Sequence, residues 1–279
     1  MALIITPQDV VRRVSLLPAF PRIVSELMAD LEDDSSSMMT LAQHVERDPV
    51  MTGRILSTAN RMLRNEGWPE ARDVYTAVSL IGFARIREIV LTTNMANFAE
   101  HFSSKHFHWG HGLAVGIAAQ ELAQHAGANQ NCALVAGLLH DIGQLWLAHF
   151  HLLEFQQMRL QVEVHGEEVC AAERAMFGLD HCEIGRIVTE CWQLPADIVA
   201  AVTHHHAPDD KVAREKMVAI THLAEMIAQS LDLPCREFNS IRRVSGVAAR
   251  ALGIDWNNDC SALFGAIDAR YQYAAAIFS

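Results

Sequence analysis

Ala133-Leu134-Val135-Ala136-Gly137-Leu138-Leu139-His140-Asp141-Ile142-Gly143 places an ionisable pair directly after seven small or apolar residues. Burying such a pair is costly unless something compensates it. A metal ion, a salt-bridge partner or a hydrogen-bond network would each serve. Across the chain the histidines are unevenly spread: 13 of the 15 lie from His101 to His206. Which form of compensation operates at His140-Asp141 therefore decides the reading of the surrounding chain.

The punctuation on either side is that of helices. Thr6-Pro7 gives an N-cap followed by proline at the first helical position, and Asp48-Pro49 repeats the device. Asp180 and Glu183 have capping-box spacing. After them Ile184, Ile187, Val188, Cys191 and Trp192 recur at helical intervals and predict a buried stripe. Pro195 opens a helix through Ile198, Val199 and Val202, and Met217, Ile220, Ala224, Ile227 and Ala228 predict another amphipathic face. No segment alternates polar and apolar residues, and no hairpin signature appears. Loops are expected at 32–37, 64–69, 127–129 and 207–210, none long enough for a flexible linker. The expectation is an all-α protein of two packed helical lobes dividing near residue 103: 1–103, then 104–232, with a C-terminal helical extension at 233–279.

Composition narrows the function classes. Hydrophobic residues make up 51% and aromatics 7% of 279 residues, a balance that suits packed helices. A net charge of -11 argues against general nucleic-acid binding, which needs a clustered basic surface. Arg242-Arg243, with Arg236 and Arg250 nearby, is too small to reverse that and reads as a solvated face. The first residues carry no secretory-signal pattern, and apolar runs fall short of the roughly 18 residues of a membrane helix. Cys132, Cys170, Cys182, Cys191, Cys235 and Cys260 form no C-x-x-C pair and read as reduced packing thiols of a cytoplasmic protein.

Several side chains are candidates to converge on His140-Asp141. His111 begins a helix carrying Leu113, Ile117 and Leu122, and His181 sits three residues before Ile184 on the buried side. His205 and His206 end the helix that Pro195 starts. Adjacent helical residues diverge by about 100°, so one of the two is expected to face away. Glu225 flanks the apolar face of the next helix, and Gln144 adds a neutral hydrogen-bonding group. Imidazole with carboxylate suits Fe, Mn, Zn or Ni better than Ca, and Asp141 would be the natural bridging ligand of a two-ion site. The alternatives stay open here: Asp141 pairing with His181 or Arg186, and His204-His205-His206 as a solvated helix end. His101, His106, His108, His125, His149, His151 and His165 have no spacing that singles them out.

Taken together the motifs resemble the HD superfamily of metal-dependent phosphohydrolases, and the chain resembles its HDOD (HD-related output domain) offshoot. In the first lobe the resemblance rests on Leu17-Pro18-Ala-Phe20-Pro21, Leu41-Ala42, Arg47-Asp48-Pro49-Val50, Ile55-Leu56, Ala59-Asn60, Ala77-Val78 and Ile81-Gly82. In the second it rests on Gly137 to Gly143, Gly178-Leu-Asp-His181 with Gly185, Trp192-Gln-Leu-Pro195 and His205-His206-Ala-Pro208. It spans roughly residues 14 to 230. The resemblance implies metal ligation by His111, His140, Asp141, His181, His205, His206 and Glu225, with Asp141 and His140 as the catalytic pair of any hydrolase. Three departures from related HD-GYP phosphodiesterases stand out. Glu225 replaces an aspartate, Gln144 replaces a lysine, and Ala207-Pro208-Asp209-Asp210 stands where those enzymes carry Gly-Tyr-Pro. Arg61 follows Asn60 where many HDOD proteins have serine.

Two functions follow from the resemblance. One is a bacterial-type cytoplasmic signal-transduction module that works through regulatory protein partners and largely retains an HD-type metal site. The other is a metal-dependent phosphohydrolase or phosphodiesterase that uses a metal-bound hydroxide on a phosphorylated or cyclic-nucleotide ligand. Either would employ one or two divalent ions.

Overall fold

The computed structural model describes residues 3–17, 20, 21, 24, 41, 45, 49–100, 109–208, 215–234, 244–256 and 260–278. All the regular structure among them is helical, so the protein is all-α. The Asp48 cap, the loop at 32–37, Cys235, Arg236, Arg242, Arg243, Asp209, Asp210, His101, His106 and His108 lie outside the described residues.

The chain forms two compact units: residues 20–101, and residues 1–19 together with 102–279. In the first, α2 (Pro49–Asn65), α3 (Val74–Ile81) and α4 (Phe83–Glu100) enclose Ile55, Leu63, Val74, Ile86, Leu91 and Met95. Asp73 caps α3 by accepting from the Thr76 backbone N–H at 2.7 Å. Asn60 fastens the preceding loop: its amide donates to the Ala71 carbonyl at 2.9 Å, and its oxygen accepts the Ala71 N–H at 2.7 Å.

The second unit contains α1 (Pro7–Val14), α5 (Trp109–Ala126), α6 (Gln130–Leu139), α7 (Ile142–Phe150), α8 (Leu152–His165), α9 (Val169–Phe177) and α10 (His181–Cys191). It continues with α11 (Ala196–His204), α12 (Lys216–Ser230), α13 (Gly246–Ala251) and α14 (Ser261–Phe278). The two expected caps within the described residues form: Thr6 with Asp9 and Asp180 with Glu183 each close a capping box. At the centre, α5 packs against α6 and α12. Gly137 makes that close approach possible, since a Cβ there would lie 2.6 Å from the Gly116 Cα.

Four details depart from the expectations. Residues 1–19 belong with the second unit because the Leu3 and Ile5 N–H groups donate to the Met176 and Phe177 carbonyls, and α1 buries Val10 and Val14. The tail belongs there too: α14 lies along α5, and Arg270 donates to Gln120 at 2.5 Å and pairs with Glu121. The stripe of α10 ends at Val188, for Cys191 is exposed and Trp192 half-buried where the helix stops. Finally, α12 has no solvent face over Met217–Ala228: every residue of that stretch is buried, as befits a helix enclosed by its neighbours. No described helix is long and apolar enough to cross a membrane.

Candidate metal centre

The run that opens the site breaks between helices at its ionisable pair. His140 is the C-cap of α6 and Asp141 the N-cap residue of α7. Asp141 makes no side-chain capping bond, so its carboxylate is available to other groups. Two residues on, Gly143 lets the start of α7 press against the start of α10. A Cβ at 143 would lie 1.9 Å from the His181 carbonyl oxygen, well inside contact distance. That approach brings Asp141 beside His181, the first residue of the capped helix.

Around Asp141 the imidazoles close in. His140 Nε2 lies 3.4 Å from Oδ2, while His181 Nε2 and His205 Nε2 lie 3.4 Å and 3.8 Å from Oδ1. All three histidines are completely buried, and the Asp141 side chain is 19% exposed. His111 packs its ring 5.1 Å from that of His140, centroid to centroid. The His206 ring lies 4.3 Å from that of His205, centroid to centroid and tilted by 43°, and its Nδ1 lies 3.9 Å from Glu225 Oε2. Donor atoms fall into overlapping groups within 4.8 Å: Asp141, His181, His205 and His206; His111, His140 and Asp141; and His140, His205 and Glu225. All seven residues expected from the sequence thus meet in one place. The expected divergence of His205 and His206 does not occur, because α11 ends at His204 and the chain turns both rings inward. Arg186 does not pair with Asp141 and instead holds Glu190 at 2.8 Å.

The proton positions follow from the acceptors. Nδ1 of His140 faces the Gly137 carbonyl at 2.7 Å, and Nδ1 of His205 faces the Val202 carbonyl at 2.9 Å. A carbonyl oxygen can only accept, so each Nδ1 carries the hydrogen. His181 is fixed by a residue that sequence reading missed. Glu173 is fully buried, and its Oε2 accepts from His181 Nδ1 at 2.5 Å and from the His181 backbone N–H at 2.8 Å. Its signal was present in the sequence: a glutamate at i+3 from Cys170 and i−4 from Phe177 lies on the apolar side of α9. With every Nδ1–H donated outward, three Nε2 lone pairs point toward one carboxylate. His181 Nε2 and His205 Nε2 stand 3.4 Å apart.

Lone pairs gathered this way repel unless a cation or protons lie among them. Among the described residues His140 Nε2 and Glu225 Oε2 are also buried without a hydrogen bond, a costly arrangement. The donor set, imidazole nitrogen and carboxylate oxygen with outer hydrogen bonds fixing the rings, fits a divalent transition ion. Without a cation, protons take that role. Burial works against the charged forms of His181 and His205, but Glu173 beside the first and Cys182 and Asp141 beside the second hold both well above the usual imidazole range. Burial would likewise raise Asp141, yet His140, His205 and His181 hold its carboxyl well below the usual range. Burial, with the His205 and His181 charges, pushes His206 well down. Burial pushes Glu225 up.

Gln144 completes the cluster, its amide donating to Asp141 Oδ1 at 3.1 Å. His222, which sequence reading passed over, holds the turn behind it. Its Nδ1–H donates to the His205 carbonyl at 2.7 Å, and its Nε2 accepts the Ser245 N–H at 3.3 Å.

Comparison with known proteins agrees with this architecture. The HDOD domain family model matches residues 17–208, and the chain belongs to that family. An uncharacterised protein of Treponema pallidum (strain Nichols) is 18% identical over 229 residues, which is 79% of this chain; the chain spans only 44% of that curated relative's length. Among solved structures, an HDOD domain protein of unknown function from Geobacter sulfurreducens superposes with a TM-score of 0.75 at 25% identity, covering 96% of each chain. A protein named as a candidate phosphohydrolase from Shewanella amazonensis SB2B gives 0.71 at 22% identity, also over 96% of each. Both share the helical fold.

Proposed function

We propose that this HDOD protein is a regulatory, signal-transducing module whose histidine–aspartate centre holds one or two divalent cations and which acts through protein partners. One observation carries the reading: the Nδ1–H groups of His140, His181 and His205 are all donated outward, leaving three Nε2 atoms turned toward Asp141. A cation would be held by His140, Asp141, His181 and His205, with His111, His206 and Glu225 around them. Asp141 is shared by two of the donor groups and suits a bridging role. Fe, Mn, Zn or Ni matches the donors. A cytoplasmic location, where buried thiols stay reduced, is part of the same reading.

Gln144 favours a regulatory role over hydrolysis. Where the related phosphodiesterases carry a lysine, this amide is spent on Asp141 and offers no positive charge to a phosphoryl group. Gly-Tyr-Pro is also absent after His206. A second reading, metal-dependent phosphohydrolase or phosphodiesterase, is favoured by access: Asp141 is 19% and His206 24% exposed at the side chain, so the cluster has an edge open to solvent. There His140 and Asp141 would be the reactive pair, and the bound ion would supply Lewis acidity toward a phosphorylated or cyclic-nucleotide ligand.

Turnover separates the two. Protein purified without affinity-tag nickel and reloaded with Mn, Fe or Zn should leave a generic phosphodiester and cyclic nucleotides intact while retaining the metal. Hydrolysis that follows metal content and disappears in Asp141→Ala would replace the regulatory reading with the enzymatic one.

A further inference from the structure

Beside the His181 ring two sulfurs lie close together. Cys170 is the second residue of α9 and Cys182 the second residue of α10, both buried at 5% and 7% exposure. They flank the same ring: Cys170 Sγ lies 4.0 Å from His181 Nδ1, and Cys182 Sγ lies 3.6 Å from His181 Nε2 and 4.0 Å from His205 Nδ1. The three donor atoms of Cys170, His181 and Cys182 all fall within 4.8 Å of one another. Ordinary packing asks only for small apolar volume at these positions. Two thiols within 4.8 Å of each other, one against each nitrogen of a candidate ligand, go beyond that.

We propose that Cys170 and Cys182 are a redox modification site: hydrogen peroxide converts the pair to a disulfide, and the bond weakens cation binding at the adjoining centre. One thiol takes oxygen from peroxide to become a sulfenic acid, releasing one water. The second sulfur then attacks it, forming the S–S bond and releasing a second water. Two thiols and one peroxide thus give one disulfide and two waters, the sulfurs losing two electrons and the peroxide gaining them. Both partners sit in first helical turns with their sulfurs within 4.8 Å, and forming the S–S bond of about 2.05 Å draws them together. Drawing them together removes the sulfur contacts from both nitrogens of His181, whose orientation the centre depends on.

The disulfide itself is independent of the metal reading; only its effect on the centre rests on it. Reduced wild-type protein is treated with stoichiometric peroxide, then digested without reduction and examined by mass spectrometry. The expected product is a Cys170–Cys182 linked peptide two hydrogens lighter than the sum of its parts, reversed by a thiol reductant and absent from Cys170→Ser and Cys182→Ala. Two free thiols after treatment, or singly oxidised cysteines without the link, would overturn the proposal. In the same samples, manganese or zinc affinity should fall at least tenfold on oxidation and recover on reduction. Unchanged affinity in the linked protein would overturn the coupling. Absence of metal binding in the reduced protein would count against the cation reading alone, because the linked peptide is read without metal.

Discussion

Glu173 shows how an interior charge can be informative. It has no contact with Asp141 among its described hydrogen bonds, yet through His181 Nδ1 it decides which nitrogen faces the centre. Carboxylates behind a ligating imidazole typically contribute ten- to a hundredfold to metal affinity. Glu173→Gln is therefore expected to weaken cation binding by about 10- to 100-fold in competition with a chromogenic chelator, and equal affinity would remove its positioning role. His151 tests a different kind of interior group. Its Nε2 accepts from Arg13 at 2.8 Å, and burial together with that guanidinium holds it below the usual imidazole range. Below the ordinary value of 6.5 the unfolded chain binds a proton that the folded chain resists, so this group's stabilisation is present above that pH and is lost as pH falls through the folded value. The stability advantage of wild type over His151→Gln, from urea midpoints, should accordingly narrow between about pH 7.5 and 5.5. Five of the seven candidate ligands stand in quoted motifs, whereas His111 and Glu225 enter through the family resemblance and their place on helices with apolar faces. Glu173 could be placed on the apolar side of α9, but its bond to His181, like the position of Cys170 and Cys182, depends on contacts made between α9 and α10, and His222 acts through the backbone of another turn.

Helix ends, more than helix faces, build the centre. His140, Asp141, His181, His205 and His206 all sit at a cap, a first turn or just past a last turn. This is why periodicity served well for existence and poorly for orientation. A continuous-helix argument sends His205 and His206 apart, whereas a helix that stops at His204 turns both inward. Capping motifs, being local chemistry, were legible directly at Thr6 and Asp180. The junction of α7 with α10 depends on Gly143, and a methyl group there would overlap the His181 carbonyl. Gly143→Ala is expected to cost about 3 kcal/mol in urea unfolding and to lower cation affinity by separating Asp141 from His181. A substitution tolerated with unchanged stability would mean that the two helix ends are farther apart than described.

The helical class of the chain was clear from its composition and punctuation, but the grouping of its segments was not. Residues 1–19 join the second unit through backbone bonds from Leu3 and Ile5 and burial of Val10, contacts to partners more than 150 residues away that no local pattern announces. Val10→Ala should reduce stability by about 1–3 kcal/mol, and its effect on amide hydrogen exchange should appear in α10 while α2–α4 keep their protection. Loss of protection confined to α2–α4 would contradict the grouping. The proposed cation rests on the outward-donated Nδ1–H groups. The decisive experiment is equilibrium titration of chelator-stripped protein with Mn or Zn, run beside Asp141→Asn. Saturation at one or two ions per chain in the wild type, with binding lost in the variant, is the expected result. No binding by wild type, or equal binding by both proteins, would contradict it.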